Sequence, residues 1–455
     1  MPKNAALTLA FIVAEKILNL DEFVRRITSV CYSNDPVARA ITLRVLGSIA
    51  CVASQRKNIH HAIRNSLDST DEIEVQAAIE AAALFAKQSS VFALSIYPKI
   101  LSILNNSSAD LSVETKIKLL SVLHHEHYNS EVSRDVRQRC LNYLASNESD
   151  YFVASVLHTL TYISITSLTD IPDQIAVLLN SFSGGTSASG PNLKLKYEIV
   201  KELQLLTKTS PHFWSEQNVA DFVGLLKNDQ IIRNSPGGLI CGFLVILRQL
   251  IRCPCLLAGQ RPEVLRAFYE EARQFCLAIM QPNDQRAVVR SELNKTANCL
   301  RVMTELSGKS PEVNRQTIDY LAGFLHSTSI KLEDHHFEDC TRSCKLILSC
   351  VVKIANQSEE ASQRLIELLC SILAESKTSN RLISLVCETI CAIENKKNST
   401  NLVNCIRQSI VGNRQLNDRS FISLCTVYFQ LTTEQTSADI NLRQLNIGML
   451  GLCFV

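Results

Sequence analysis

The sequence predicts an all-α fold built from stacked helical pairs, and two observations carry this prediction. Helical stretches with an apolar face begin at intervals of about 40 residues through the first half of the chain. Their starts lie near Val37, Val75, Val113, Val153, Leu195 and Leu239. Glycine is scarce, at 14 of 455 residues, which disfavours β-structure and glycine-rich phosphate loops. A step of about 40 residues between helical stretches is typical of HEAT or armadillo repeats. We therefore expect an α-solenoid, which is a right-handed superhelix of helical pairs.

The first repeat illustrates the local pattern. Asp21–Cys31 is predicted to be its first helix, and the second helix is predicted to begin at Pro36 after a polar turn. Asp35 is expected to cap the second helix, with Arg39 within reach of it four residues later. One apolar face is expected to contain Val37, Ala40, Ile41, Val45 and Ile49, and Leu43 and Leu46 form a second apolar face. A helix that is apolar on two faces is expected to lie between two neighbours.

Two parts of the chain are expected. Residues 1–226 are predicted to form N-terminal HEAT-like repeats, and residues 239–455 are predicted to form further helical repeats. A hinge or loop is expected near 228–238, and a second flexible loop is expected at Ser183–Asn192. The chain ends in the apolar segment Leu452–Val455 without a polar capping helix. We therefore expect a truncated last repeat, or an end that docks on another surface.

Composition excludes several classes of function. The net charge is +2 and no charge block stands out, so we expect no direct nucleic-acid site. No apolar run approaches the roughly 18 residues of a membrane span. The apolar segment Ala5–Ala14 fits a helix better than a signal peptide, because Glu15 and Lys16 follow it directly. The 17 cysteines are scattered through helical stretches, which predicts buried free thiols in a reducing compartment.

Two clusters contain metal-ligating residue types. His124 and His127 have helical spacing, but no second ligand group is near them in the sequence. His336, Cys340 and Cys344 share one helix face and have the softness that zinc prefers. Zinc sites, however, usually join two elements through paired short spacings. We therefore predict core thiols and surface histidines here, with no metal and no cofactor.

Catalytic motifs are absent from the sequence. It contains no G-x-S-x-G nucleophile elbow and no G-x-x-x-x-G-K-[ST] phosphate loop. Its carboxylates are spread over helix faces and do not form the pair that glycoside hydrolysis requires. We therefore predict that the chain is not an enzyme and has no catalytic residues.

Several segments resemble the Integrator complex subunit 7 family, most strongly over residues 15–226. The two longest are Ile17–Ile27 (ILNLDEFVRRI) and Ser33–Ser48 (SNDPVARAITLRVLGS). The shorter ones are Arg56–His61, Ser66–Ser69, Glu74–Ala78 and Thr209–Ser215. The second long segment contains the residues of a structural motif, namely Asn34, Asp35, Pro36, Arg39, Leu43 and Gly47.

The resemblance implies a non-catalytic scaffold subunit in the nucleus. Members of the family belong to the Integrator complex, which processes small nuclear RNA 3′ ends and regulates transcription by RNA polymerase II. The expected partners are therefore other Integrator subunits and, indirectly, the polymerase. An α-solenoid adaptor or karyopherin-like transport carrier is the alternative, because the same fold serves both functions.

Overall fold

The computed structural model is a succession of helices, with no β-strand among the residues that it describes. The described residues are 20–106, 112–125, 129–145, 149–168, 170–184, 192–227, 236–259, 261–280, 290–309, 311–331, 337–357, 359–374, 380–393, 399–412 and 416–436. Within these ranges, every helix is too short or too polar to cross a lipid bilayer. Most of the predicted loop at 183–192 and of the predicted hinge at 228–238, and the whole chain end at 452–455, lie outside them.

The chain divides into two compact units, Met1–Asn218 and Val219–Val455. The helices of unit 1 are α1 (Leu20–Val30), α2 (Pro36–Ser48), α3 (Ala50–Ala53), α4 (Lys57–Ser66), α5 (Glu72–Gln88), α6 (Ser90–Asn106), α7 (Val113–Leu123), α8 (Ser130–Ala145), α9 (Asp150–Ser167), α10 (Ile171–Gly184) and α11 (Leu193–Thr209). A 3₁₀ turn at Pro211–Phe213 follows, and α12 (Glu216–Leu226) crosses from one unit into the other.

Unit 2 continues with the same kind of helix. Its helices are α13 (Gly237–Arg252), α14 (Pro254–Gly259), α15 (Pro262–Met280), α16 (Arg290–Ser307), α17 (Pro311–Lys331), α18 (Phe337–Ala355), α19 (Glu359–Ala374), α20 (Asn380–Ala392), α21 (Ser399–Gly412) and α22 (Asp418–Thr436). The division predicted from the sequence, with one part ending at residue 226 and the next beginning at residue 239, stays a prediction.

The second helix of each repeat packs on the second helix of the next one. In unit 1 this series is α2, α5, α7, α9 and α11, and in unit 2 it is α13, α16, α18, α20 and α22. The six predicted starts lie within three residues of the observed helix starts. The helical-pair solenoid that the sequence predicts is thus confirmed.

Packing of α2 corrects part of the predicted inner face. Ala40, Leu43 and Leu46 are fully buried, whereas Val37 and Ile41 are exposed. Successive residues of a helix are about 100° apart, so Val37 and Ile41 lie on the side opposite Leu46. The prediction that neighbours cover both apolar faces of α2 is wrong for Val37 and Ile41, because the contact with the neighbouring helices uses the other side of α2.

Close approach of α2 and α5 depends on small side chains. The α5 residues Ala77, Ala78, Ala81 and Ala82 are fully buried. A Cβ atom on Gly47 of α2 would lie 3.1 Å from Leu84 Cδ1 and 3.3 Å from the Ala81 Cα. Gly47 of the family motif therefore has a packing role, because its missing side chain lets the two backbones approach.

Replacement of Gly47 tests this contact. We expect Gly47→Leu to destabilise the protein by about 1–3 kcal/mol or more, because the larger side chain must separate α2 from α5. Gly224→Ala on α12 is the matched control, since a Cβ there meets nothing within 4 Å. The control should be neutral or should stabilise by about 0.5–1 kcal/mol through helix propensity. Chemical denaturation of both variants measures the effect, and equal melting of the two would contradict this packing.

Asp35 has a local role at the start of α2. Its Oδ1 atom accepts a hydrogen bond from the Val37 N–H at 3.0 Å, and Pro36 takes the first helical position. Asp35→Ala should therefore lower the free energy of unfolding by about 1 kcal/mol, as loss of an N-cap does. Asp35→Asn keeps an acceptor at the same place and should cost much less. A similar loss in both variants would show that the charge matters more than the cap.

Candidate interaction surface

The second helices of unit 1 expose one side, which we call the second-helix face. On α2 its residues are Val37, Ile41, Arg44 and Ser48, which are all exposed. On α5 they are Ile73 and Leu84, which are exposed, and Gln76 and Glu80, which are half-buried. These positions recur at helical spacing, so each helix contributes one continuous stripe. Because the helices pack in series, the stripes lie side by side.

Arg39 of the family motif joins two repeats beneath this face. Its guanidinium contacts the Glu74 carboxylate of α5 at 2.7 Å, and it also donates to the Ser33 carbonyl at 2.7 Å. The Ser69 hydroxyl donates to the same carboxylate at 2.7 Å. The predicted pairing of Arg39 with the Asp35 side chain is not formed. Asp35 caps the helix, and Arg39 pairs with Glu74 instead.

The Glu74 carboxylate is held in its charged form. Its side chain is only 5% exposed, and this burial by itself raises the pKa. Hydrogen bonds from Arg39 and Ser69 outweigh the burial, so the pKa of Glu74 lies below its usual value of 4.5. The pair is therefore a fixed ionic contact between α2 and α5. Its two residues are 35 positions apart in the chain.

The other motif residues have distinct surroundings. Leu43 is fully buried in the core between α2 and its neighbours, whereas Asn34 is exposed in the turn before α2. The motif residues thus act locally, as a cap, a buried ion pair and a close helix contact. They do not converge on a binding pocket.

A second set of ion pairs crosses the second-helix face itself. Glu80 of α5 accepts from Arg44 of α2 at 3.2 Å and from Lys118 of α7 at 3.3 Å. The three side chains are 35–47% exposed, so solvent screens these contacts and each contributes little to stability. Their larger effect is on the pattern of charge that a partner would meet.

Unit 2 also has ion pairs between adjacent second helices, and there the shared carboxylate is buried. Glu305 of α16 is only 8% exposed and pairs with Arg248 of α13 at 3.3 Å. It also pairs with Arg252 of α13 at 3.7 Å and with Lys353 of α18. Burial and the nearby Arg248 lower the pKa of Arg301 on the same helix. One glutamate therefore holds three consecutive second helices together.

His124 is part of an aromatic cluster between α7 and α9. Its Nε2 lies 3.0 Å from the Thr159 hydroxyl, and its ring stacks on Tyr162 with the centroids 5.6 Å apart. Burial and the adjacent His158 lower the pKa of His124 to about 3. His158 instead pairs with Glu202 of α11 at 2.9 Å, and this hydrogen bond raises its pKa.

The structure bears only partly on the two candidate metal clusters. His127 and His336 lie outside the described residues, as does the side chain of Cys340. Cys344 is buried in the apolar core of unit 2, which fits the predicted core thiol. Among the described residues, no three His, Cys, Asp or Glu side chains are arranged to hold a metal ion.

The sequence did not identify the acidic partners of these contacts. Glu74, Glu80 and Glu305 each lie about one repeat from a basic partner on an adjacent second helix. A search for opposite charges one repeat apart would have found them. A prediction limited to residues four positions apart on one helix does not find these partners.

A double-mutant cycle tests the contact between Arg39 and Glu74. The variants Arg39→Met and Glu74→Gln should show a larger coupling energy than the exposed pair Arg44→Met and Glu80→Gln, which should couple by less than about 1 kcal/mol. Because the folded-state pKa of Glu74 is lowered, the coupling should be full above pH 4.5 and lost as pH falls through that lowered pKa. Denaturation at several pH values measures it, and a coupling that survives strong acid would contradict this assignment.

Comparison with known proteins places the chain in a family. The model of the family described as Integrator complex subunit 7, N-terminal, matches residues 14–447. Integrator complex subunit 7 of Gallus gallus is 31% identical over 434 residues, which cover 94% of this chain and 43% of that protein. The Homo sapiens protein is 32% identical over 385 residues, which cover 83% of this chain and 38% of that protein. The chain thus spans less than half the length of these relatives.

Solved structures share the fold at low sequence identity. Importin beta in an ammonium sulfate condition aligns with a TM-score of 0.58 and 13% identity, covering 94% of this chain and 53% of that chain. A Kap121p mutant aligns with a TM-score of 0.51 and 13% identity, covering 95% of this chain and 48% of that chain. At such identity these similarities concern the α-solenoid fold and not function.

The sequence resemblance is strongest over residues 15–226, and the match to the family model extends well past them, to residue 447. It includes every residue of the motif between Asn34 and Gly47, for which the structure gives capping, ion-pair and packing roles. The chain therefore belongs to the Integrator complex subunit 7 family.

Proposed function

We propose that the chain forms the helical-repeat part of a non-catalytic scaffold subunit of the Integrator complex. In this function it supports small nuclear RNA 3′-end processing and regulation of RNA polymerase II transcription in the nucleus. Its direct partners are other Integrator subunits, and the polymerase is an indirect one. The observation that carries the proposal is the family match over residues 14–447.

The architecture is consistent with a scaffold. Each repeat buries its apolar residues against the adjacent repeats, which leaves the exposed stripes of many helices available along the chain. The motif residues described above make contacts within and between repeats. A transport carrier is the alternative, but its support is the solenoid fold alone.

Affinity purification from nuclear extract tests the assignment. We expect the tagged chain to recover Integrator subunits, identified by mass spectrometry, above a tag-only control. Gly224→Ala should recover them equally, whereas Gly47→Leu should recover fewer, because it disturbs the packing of α2 on α5. Recovery of import cargo and nuclear-pore proteins without Integrator subunits would favour the carrier and contradict the scaffold assignment.

A further inference from the structure

Unit 1 has one exposed apolar side chain at the start of each second helix. Val37, Ile73, Val113, Tyr151 and Leu193 each occupy the first or second position of α2, α5, α7, α9 or α11. They are 47%, 50%, 38%, 60% and 44% exposed. Isolated exposed apolar residues are normal on protein surfaces. Here, however, such residues recur at the first or second position of the second helix in five consecutive repeats. We call these five residues the apolar row.

Contacts between neighbouring helices place the row along one edge. Arg39 and Glu74 join the first turns of α2 and α5, and the Lys118 ammonium lies 3.2 Å from Gln76 Oε1, which joins α7 to α5. These contacts set the first two turns of α2, α5 and α7 side by side.

The same alignment continues through the last two helices of the row. The Lys116 ammonium lies over the Phe152 ring at 5.9 Å, which joins the first turns of α7 and α9. The Lys194 ammonium lies 4.3 Å from the centroid of the Tyr151 ring, which joins the first turns of α9 and α11. The row is therefore continuous from α2 to α11.

Carboxylates flank the row over its first four helices. Asp35, Glu72, Glu114 and Asp150 each lie within two residues of the row residue of the same helix. Asp35 caps α2 and interacts electrostatically with the Arg39 guanidinium, whereas Glu72, Glu114 and Asp150 form no ion pair with a residue that the structure describes. At α11 the sign reverses, because Lys194 and Lys196 follow Leu193. Lys116 adds one positive charge in the first turn of α7. The row thus combines apolar side chains with a net negative charge over its first four helices, and its last helix is basic.

The spacing of the row limits the shape of a ligand. Packed helices lie about 8–10 Å apart, so adjacent row residues are separated by about that distance. A polyproline II segment rises about 3.1 Å per residue and repeats its orientation every three residues, or about every 9 Å. An extended segment of about 13 residues would therefore place one side chain at each of the five helices. An α-helical ligand rises only about 1.5 Å per residue and would not match this spacing as directly.

We propose that the apolar row binds an extended segment of a partner protein, with an apolar residue at every third position and Lys or Arg between them. The basic residues pair with the carboxylates of α2, α5, α7 and α9, and the apolar residues cover the five row side chains. Main-chain extension keeps the ordering cost low, as in other polyproline II ligands. The inference deepens the proposed scaffold function in naming the chemistry of a partner, and it rests on that function only in assuming that a partner exists.

Selection from a random peptide library tests the proposal directly. Phage-displayed 16-residue peptides are selected on the purified chain, and single peptides are then measured by fluorescence polarisation. We expect enriched peptides to carry net positive charge and apolar residues at i, i+3 and i+6. Ile73→Ser combined with Tyr151→Ser should weaken their binding by about tenfold or more, as loss of interface anchors does.

Two further variants complete the test. The control combines Val91→Ser with Leu94→Ser on α6, which is the first helix of the pair that α7 completes. It removes exposed apolar residues away from the row and should leave peptide binding unchanged. Glu72→Lys combined with Glu114→Lys should weaken binding and reduce its salt dependence, because it removes the charge attraction. Circular dichroism and thermal melting establish that each variant is folded before its binding is compared.

Several outcomes would overturn the proposal. These are the absence of enriched peptides, the enrichment of acidic peptides, and equal binding by the row variant and the α6 control. Sedimentation that shows a dimer lost in the row variant would assign the row to a second copy of this chain instead. The library contains no natural partner, so its failure leaves the Integrator assignment intact. Failure to recover Integrator subunits likewise does not affect the peptide result.

Discussion

Packing of each second helix on the next one is the contact on which the rest of the structure depends. A repeat of this kind cannot bury its apolar side chains alone, so the free energy of folding comes from the interfaces between repeats. At the first of these interfaces, Gly47 has no side chain and lies against Ala81 and the end of the Leu84 side chain. The alanines of α5 make the same approach possible from the other side. Small residues therefore set the distance between repeats, and the larger apolar residues fill the remaining space.

Charge is used in two ways along the second helices. Glu74 and Glu305 are nearly buried and hold basic partners on adjacent helices, so removal of one partner would leave a charge without compensation. Glu80 has a similar position in its repeat but remains exposed, and its pairs with Arg44 and Lys118 contribute little energy. The buried contacts fix the register of one helix on the next. The exposed ones leave a surface of alternating charge.

The same geometry that stabilises the chain also creates its regular surface. When five helices start side by side, any residue type placed at the same helix position becomes a row. At the starts of α2, α5, α7, α9 and α11 the first or second residue is apolar and exposed, and a carboxylate lies within two residues of it in the first four of these helices. A solenoid thus converts a sequence repeat into a linear array of side chains, which suits binding to an extended segment of another protein.

The sequence by itself determined the fold class, because the period of about 40 residues and the apolar helix faces are local properties of the chain. It also identified the cap at Asp35 and the helix start at Pro36, since both act within one turn. It did not identify which side of α2 is buried. Both faces of that helix are apolar, and only contact with α5 decides that Leu43 is inside and Ile41 is outside. The partner of Arg39 was decided in the same way, because Glu74 comes near it only when the repeats stack. Local chemistry is readable from sequence, whereas the choice between two possible neighbours depends on the packing of the folded chain.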